Sequence, residues 1–279
     1  MTAIGFVAAA VLASGTAAGA ASAGRIMSMN LCSDLLLLQL APRARIVSVS
    51  HLAHEGAAVL FPGRDAGIAV NHGAAEDIVN LQPDLILVGD TSTPMTRRLA
   101  RRVGARVVEV RSANSLADAR RVLLKLGDDI GETARARALA QKMDAELAAL
   151  AAHPPAHRLR VVAWSGGAFV PGQGTLVNDI ITAAGAVNIA ALPGLSTSTF
   201  GVEQLLAADP DALLHGRERS GAPSLHNAEA QHRLVRARYG PRSIAFLDIA
   251  AECGLPQSAD AARDLRRALD ALPPRGSRR

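Results

Sequence analysis

Short apolar runs alternate with helical patterns along most of this chain. In the first half, the runs predict five strands, at 25–30, 44–50, 67–71, 84–89 and 105–110, with short helices between them. In the second half the pattern predicts strands at 158–164 and 242–248 and helices at 175–184, 227–238 and 259–272. Each strand is short and apolar and is followed by polar or glycine residues. This is the pattern of an α/β protein with parallel sheets covered by helices.

One long segment keeps a helical spacing of apolar positions without any proline, from Ser115 to Ala152. It predicts a single long helix that joins two α/β lobes, with Gly127 and Gly131 as points where it can kink or divide. We therefore expect two lobes with parallel central sheets and a ligand cleft between them. The expected boundaries are a leader at 1–23, a first lobe at 24–114, the connecting helix at 115–152, and a second lobe with a short basic tail at 153–279.

A sequence motif occurs twice, once in each half. Glu76 begins EDIVNLQPDLILVG and Glu203 begins EQLLAADPDALLHG. In both copies, a short helix after the Glu ends at Pro-Asp and a buried strand follows. A Glu at a helix start is favoured by the helix dipole, which is the simple explanation of either residue alone. Two of them at matched positions indicate two similar lobes and a paired role.

Composition narrows the function classes. The 279 residues are 49% hydrophobic but only 3% aromatic, so both lobes need aliphatic cores. The net charge of +5 and the pI near 10.1 are typical of some nucleic-acid-binding proteins. The arginines are scattered along the predicted helices, however, and no aromatic residues alternate with them. We therefore expect no nucleic-acid partner.

The first 23 residues carry no charged side chain and contain an apolar stretch from Ile4 to Ala13. Ala21-Ser22-Ala23 forms an A-x-A cleavage pattern, which predicts a signal peptide removed after Ala23 and a periplasmic protein. The segment lacks the basic residue usual near the start of such a leader. A membrane anchor is the alternative, but the apolar run is shorter than the roughly 20 residues that span a bilayer.

Several of these stretches together resemble one family over residues 25–272. They are RIMSMNLCSDLLLLQLAPRARIVSVS, LQPDLILVG, the connecting helix, GTLVNDIITAAGAVNIA and the repeated Glu. The resemblance is to the class III periplasmic substrate-binding proteins of ABC importers, which carry iron chelates and cobalamin. It implies a monomeric receptor without catalysis or a resident cofactor, whose Glu76 and Glu203 dock onto arginine pockets of two permease subunits. It implies a ferric siderophore as the first candidate ligand, ahead of cobalamin and haem.

The alternative from another class is a cleft enzyme or a metal-cofactor scaffold. We find no nucleophile with a base and no complete set of metal ligands in the sequence, so the receptor is favoured.

The family fold also implies where the ligand lies. Ligands of open α/β sheets bind outside the carboxyl ends of the strands, which here means between the lobes. The residues that follow predicted strands in this way are Asn30, Cys32, His51, His54, His72, Asp90, Trp164, Phe169 and Arg217. Trp164 is either a core residue or a stacking surface for a ligand ring, and its place at a strand end favours the second interpretation.

Histidines and cysteines among these residues raise two further questions. His51, His54 and His72 are of the right type to ligate a metal with Cys32 or Asp90, but their spacing matches no zinc motif, so we predict polar lining rather than a metal site. Cys32 and Cys253 are the only cysteines, and each follows a predicted strand of a different lobe. In an oxidising compartment they either form a disulfide or remain as small buried thiols.

Overall fold

The computed structural model describes residues 24–90, 94–102, 104–164, 169–194, 200–216, 232–246 and 248–273. The predicted signal peptide and Arg217 lie outside the described residues.

The first lobe is a five-stranded parallel sheet with helices on its faces. Its strands are β1 (Ile26–Ser28), β2 (Ile46–Ser50), β3 (Ala69–Asn71), β4 (Leu85–Gly89) and β5 (Arg106–Val110), in the order β3-β2-β1-β4-β5. Its helices are α1 (Leu31–Leu40), α2 (Ala53–Leu60), α3 (Ala75–Leu81) and α4 (Pro94–Arg102). All five predicted strands are confirmed. Helix α2 was missed, because its run of small residues shows little helical periodicity.

The second lobe repeats this design with four parallel strands. They are β6 (Arg160–Ala163), β7 (Val187–Asn188), β8 (Ala212–Gly216) and β9 (Ser243–Phe246), in the order β7-β6-β8-β9. Its helices are α7 (Leu176–Ala183), α8 (Val202–Ala208), α9 (Arg233–Tyr239), α10 (Asp248–Cys253) and α11 (Gln257–Asp270). The two-residue strand β7 and the short helix α10 were not predicted. The α/β class with two parallel sheets is confirmed.

The prediction of a single connecting helix is wrong. The segment forms two helices, α5 (Leu116–Ile130) and α6 (Thr133–Ala152), which are separated at Gly131. Gly131 ends α5 in the left-handed conformation, with φ of 76°. The helices then run antiparallel, since the Arg120 guanidinium lies 2.9 Å from the Asp144 carboxylate across the pair. Gly127 permits the close contact, because a Cβ there would lie 2.2 Å from the Cβ of Ala136.

This helical hairpin still links the two lobes. Ile130 and Ala136, near the turn, belong to the core of the first lobe. Leu116 and Met143, at the other end, belong to the core of the second lobe. The connection between the lobes is therefore a pair of packed helices.

The repeated motif has a clear structural basis in the first lobe. Helix α3 ends with Gln82 in the left-handed conformation, at φ of 43°. The guanidinium of Arg25, just before β1, donates hydrogen bonds to the carbonyls of Leu81 (2.6 Å) and Gln82 (3.1 Å). The carboxylate of Asp84 accepts from the Arg25 N–H at 2.9 Å. The motif thus fastens the end of α3 to the start of β1.

The second lobe uses the same device. Helix α8 ends with Asp209 in the left-handed conformation, at φ of 45°. Arg160, at the start of β6, donates from its side chain to the Ala208 carbonyl (3.0 Å) and from its backbone to the Asp211 carboxylate (2.8 Å). Pro-Asp is therefore repeated because each lobe closes its helix–strand turn with the same Arg–Asp contacts.

Within the described residues, no helix is both long and apolar enough to cross a membrane.

Candidate functional site

The two lobes are joined by a disulfide between Cys32 and Cys253, with their Cα atoms 4.9 Å apart. Cys32 lies in the first turn of α1, which starts at the carboxyl end of β1, and Cys253 ends α10, which follows β9. Ile249 of α10 also packs against Leu35 and Gly56 of the first lobe. The disulfide, one of the two alternatives left open by the sequence, is thus present. It places the carboxyl edges of the two sheets toward the same region.

Two of the predicted ligand-binding residues lie together at this edge of the first lobe. His51 follows β2 and His72 follows β3, and these strands are neighbours in the sheet. The backbone N–H of His51 donates to the Asn71 carbonyl at 3.0 Å. The imidazole rings stack with centroids 5.2 Å apart and an interplanar angle of 11°, and both residues are exposed. The strand order, which the sequence does not give, creates this pair.

Three other predicted residues have structural partners. The Asn30 side chain caps α1 by accepting from the Cys32 N–H at 3.0 Å. The Asp90 carboxylate accepts from the N–H (2.8 Å) and the hydroxyl (2.7 Å) of Ser112, which joins the ends of β4 and β5. His54 lies on α2, 79% exposed, with Nδ1 2.8 Å from the Asp65 carboxylate. These side chains shape the edge of the first lobe, and their contact with a ligand stays a prediction.

The interpretation of Trp164 as a stacking surface is wrong. Its side chain is only 2% exposed and packs with Phe200 and Tyr239 in a core cluster of the second lobe. The indole Nε1–H donates to the Phe200 carbonyl at 3.0 Å, so the polar end of the ring is satisfied inside the protein. Phe169, at 67% exposure, is instead the exposed aromatic residue described after β6.

A buried polar network beneath the histidine pair was not predicted. Asp34 is fully buried, and its carboxylate accepts from the hydroxyl (2.5 Å) and the N–H (3.2 Å) of Ser50. The Asn71 amide donates to the Ser28 carbonyl and to the Ser48 hydroxyl, both at 2.8 Å. Two features of the sequence could have indicated this network: a polar residue at the end of each strand, and an aspartate inside the apolar run of α1. The network fixes the ends of β1, β2 and β3 relative to α1.

Burial raises the pKa of Asp34 from 3.8 to about 6, and hydrogen bonds from Ser28 and Ser50 partly oppose this rise. Because its pKa is higher in the folded state, folding favours the protonated carboxyl. Its stabilising contribution is complete below pH 3.8 and is lost as the pH rises through about 6.

Lowering the pH from 7 to 5 is therefore expected to stabilise the wild type by about 1 kcal/mol relative to Asp34→Asn. The asparagine side chain of this variant keeps an oxygen that can accept from Ser50 but does not titrate. Urea unfolding of both proteins at the two pH values measures the difference. A difference that does not change with pH would contradict the raised pKa.

The two repeated glutamates occupy equivalent, exposed positions. Glu76 and Glu203 lie in the first turns of α3 and α8, near the carboxyl edges of their sheets. Neighbouring residues cap these helices: Asp77 accepts from the Ala74 N–H (3.2 Å), and Gln204 accepts from the Gly201 N–H (3.1 Å). Helix capping therefore does not explain either glutamate.

Within the described residues, no group of three or more His, Cys, Asp or Glu side chains is arranged to hold a metal ion. Any metal at this edge would need further ligands that the protein side chains described there do not supply.

Most of this chain matches a known protein family. Residues 26–236 match the model of a family described as periplasmic binding protein. Cobalamin-binding proteins from two strains of Halobacterium salinarum are 27% identical over 202 residues, covering 69% of this chain and 53% of theirs. The chain thus spans about half the length of these curated relatives.

Solved structures show the same fold. The apo periplasmic heme-binding protein from Roseiflexus sp. RS-1 has 26% identity and a TM-score of 0.70, with 89% of this chain and 99% of that chain covered. The periplasmic vitamin B12-binding protein of Vibrio cholerae has 19% identity and a TM-score of 0.65, with 90% and 98% covered. The match to the family model extends over most of the chain and reaches into both sheets. This chain belongs to the periplasmic binding protein family.

Proposed function

We propose that this protein is a periplasmic receptor that captures a metal chelate between its lobes and delivers it to an ABC importer. The observation that carries the proposal is the pair of exposed glutamates, Glu76 and Glu203, on equivalent helices of two matched lobes. Carboxylates in such positions are suited to charge-assisted hydrogen bonds with arginine on a partner that has two similar subunits.

The chelate is proposed to bind at the carboxyl edges of the two sheets. His51 and His72 lie on the first lobe there and Phe169 follows β6 of the second, so imidazole and aromatic groups are exposed at these edges. The family resemblance seen in the sequence implied a ferric siderophore as the first candidate ligand. The names of the relatives, which include cobalamin-binding and heme-binding proteins, favour a tetrapyrrole instead.

Export and ligand identity are tested together. The full chain is produced in a Gram-negative host, and the periplasmic protein is examined by intact mass, absorption spectrum and metal content. We expect a mass that begins at Gly24. We also expect saturable binding of hemin, cyanocobalamin or a ferric trihydroxamate, with iron–EDTA as the control complex. A protein that stays in the cytoplasm, or one that binds none of the three, would overturn the proposal.

A further inference from the structure

A cavity of about 380 Å³ lies at the amino ends of the strands of the first lobe, the opposite edge of the sheet from the histidine pair. Its lining includes Ile46, the first residue of β2, and Ala41, at the end of α1. His51, by contrast, follows the last residue of β2. A strand of this length spans about 15 Å, so the cavity is separate from the edge where the chelate is proposed to bind.

Three arginine side chains give this cavity its charge. Arg43, Arg64 and Arg135 line it, and no acidic side chain of the described residues does so. The carboxylates of Asp65 and Glu132, which are close to these arginines in the sequence, face a histidine and a different arginine outside the lining. The cavity therefore collects positive charge that the described part of the chain does not neutralise.

Backbone carbonyls hold two of the arginines at the wall of the cavity. The Arg64 Nε–H donates to the Leu38 carbonyl at 3.0 Å, and its terminal nitrogens donate to no acceptor among the described residues. The terminal nitrogens of Arg43 donate to the Ile46 and Ala66 carbonyls, both at 3.4 Å, and each carries a second N–H. Donors that are fixed before binding lose little freedom when an anion binds.

The stability of its own helix does not explain the position of Arg135. This residue lies in the first turn of α6, where the helix dipole favours acidic rather than basic side chains. Its side chain is exposed and makes no hydrogen bond or ion pair with any described residue. An anion in the cavity would provide a partner for Arg135 and would also be attracted by the amino end of α6.

We propose that this cavity binds a phosphate monoester group. Planar guanidinium groups offer paired N–H donors that match the oxygens of a phosphate. A phosphate monoester carries a charge of about −1.5 to −2 at pH 7, so it offsets more of the repulsion among three arginines than a single carboxylate does. The volume lies within the range of cavities that bind small molecules. The proposal does not depend on the receptor function, because the cavity lies away from the proposed chelate site.

Calorimetric titration of the mature chain with glycerol 3-phosphate tests the proposal, with sodium chloride at matched ionic strength as the blank. We expect saturable binding. Arg135→Ala should weaken it at least about tenfold, since the variant loses a charge-assisted hydrogen bond. Arg137→Ala is the matched control, because Arg137 is an exposed arginine of the same helix outside the cavity lining, and the change in net charge is the same. Arg135→Lys keeps the charge but not the planar fork, so it should recover only part of the affinity.

Vesicles identify the source of the phosphate group. Binding to vesicles that contain phosphatidic acid, but not to phosphatidylcholine vesicles, would assign a lipid head group if Arg135→Ala abolishes it. Binding of glycerol 3-phosphate alone would assign a soluble ligand, and either result supports the phosphate site. Equal weakening in Arg135→Ala and Arg137→Ala would show attraction to the net positive charge only and would overturn the proposal, as would the absence of binding to both probes. Arg135→Ala should keep the wild-type affinity for the chelate, so this test and that of the receptor function can fail separately.

Discussion

Replacing Glu76 and Glu203 together by alanine is expected to abolish chelate uptake while leaving the affinity for the chelate unchanged. Each charge-assisted hydrogen bond to a partner arginine contributes about 1.5–3 kcal/mol. Losing two of them weakens docking by about 10²- to 10⁴-fold if they contribute independently. Since both side chains are exposed and other residues cap their helices, the fold itself should not change.

Uptake and ligand binding are measured separately in this test. Uptake is followed in vesicles that contain the cognate permease and ATPase, and affinity is measured with the purified receptor. Glu55→Ala is the control, because Glu55 is an exposed first-turn glutamate of α2 that has no counterpart in the repeated motif. Each single variant should retain part of the uptake. Weaker chelate binding by the double variant would show that the glutamates belong to the ligand site instead.

The sequence was most informative where a pattern repeats or alternates. The five strands of the first lobe are apolar runs bounded by polar residues, and each appears where the pattern placed it. The Glu and Pro-Asp repeat correctly indicated two related lobes. Its Arg25 and Arg160 contacts were not foreseen, since they join residues far apart in the sequence.

The two wrong predictions, of a single connecting helix and of a ligand-stacking tryptophan, concern residues that are compatible with two local conformations. Gly131 fits a kinked continuous helix as well as the left-handed end of a helix, and only packing of α5 against α6 decides between them. Trp164 at a strand end can point toward a ligand or into the core. Its neighbours Phe200 and Tyr239, which enclose it, come from distant parts of the chain.

The candidate site was likewise predictable from the sequence only in part. That His51 and His72 follow strands could be predicted, but their contact depends on β2 and β3 being neighbours. Asp34 lies in an apolar run, and its carboxylate can be buried because the Ser50 hydroxyl donates a hydrogen bond to it. The positions of these residues relative to strands and helices were thus predictable from local sequence. The contacts between them depend on the order of the strands in the sheet, which local sequence does not give.

Replacing Cys32 and Cys253 by alanine is expected to lower the free energy of unfolding by about 2–5 kcal/mol. The bond closes a loop with a sequence separation of 221, so its loss gives the unfolded chain considerably more conformational freedom. Alanine is preferred to serine because Cys253 is buried and a hydroxyl there would need a partner. Guanidinium unfolding of the wild type, with and without reductant, and of the variant measures the effect.

The same substitution tests how the lobes are held together. Ile249 and Leu255 of the second lobe pack into the core of the first, so the lobes should remain associated after the bond is lost. We therefore expect the variant to keep a compact shape in small-angle X-ray scattering. We also expect weaker chelate binding, because the edges where we propose that the ligand binds are less restrained. The reduced wild type should match the variant, and reductant should not change the variant further. Equal unfolding midpoints for the oxidised wild type and the variant would show that the apolar contact, rather than the disulfide, sets the stability of the inter-lobe connection.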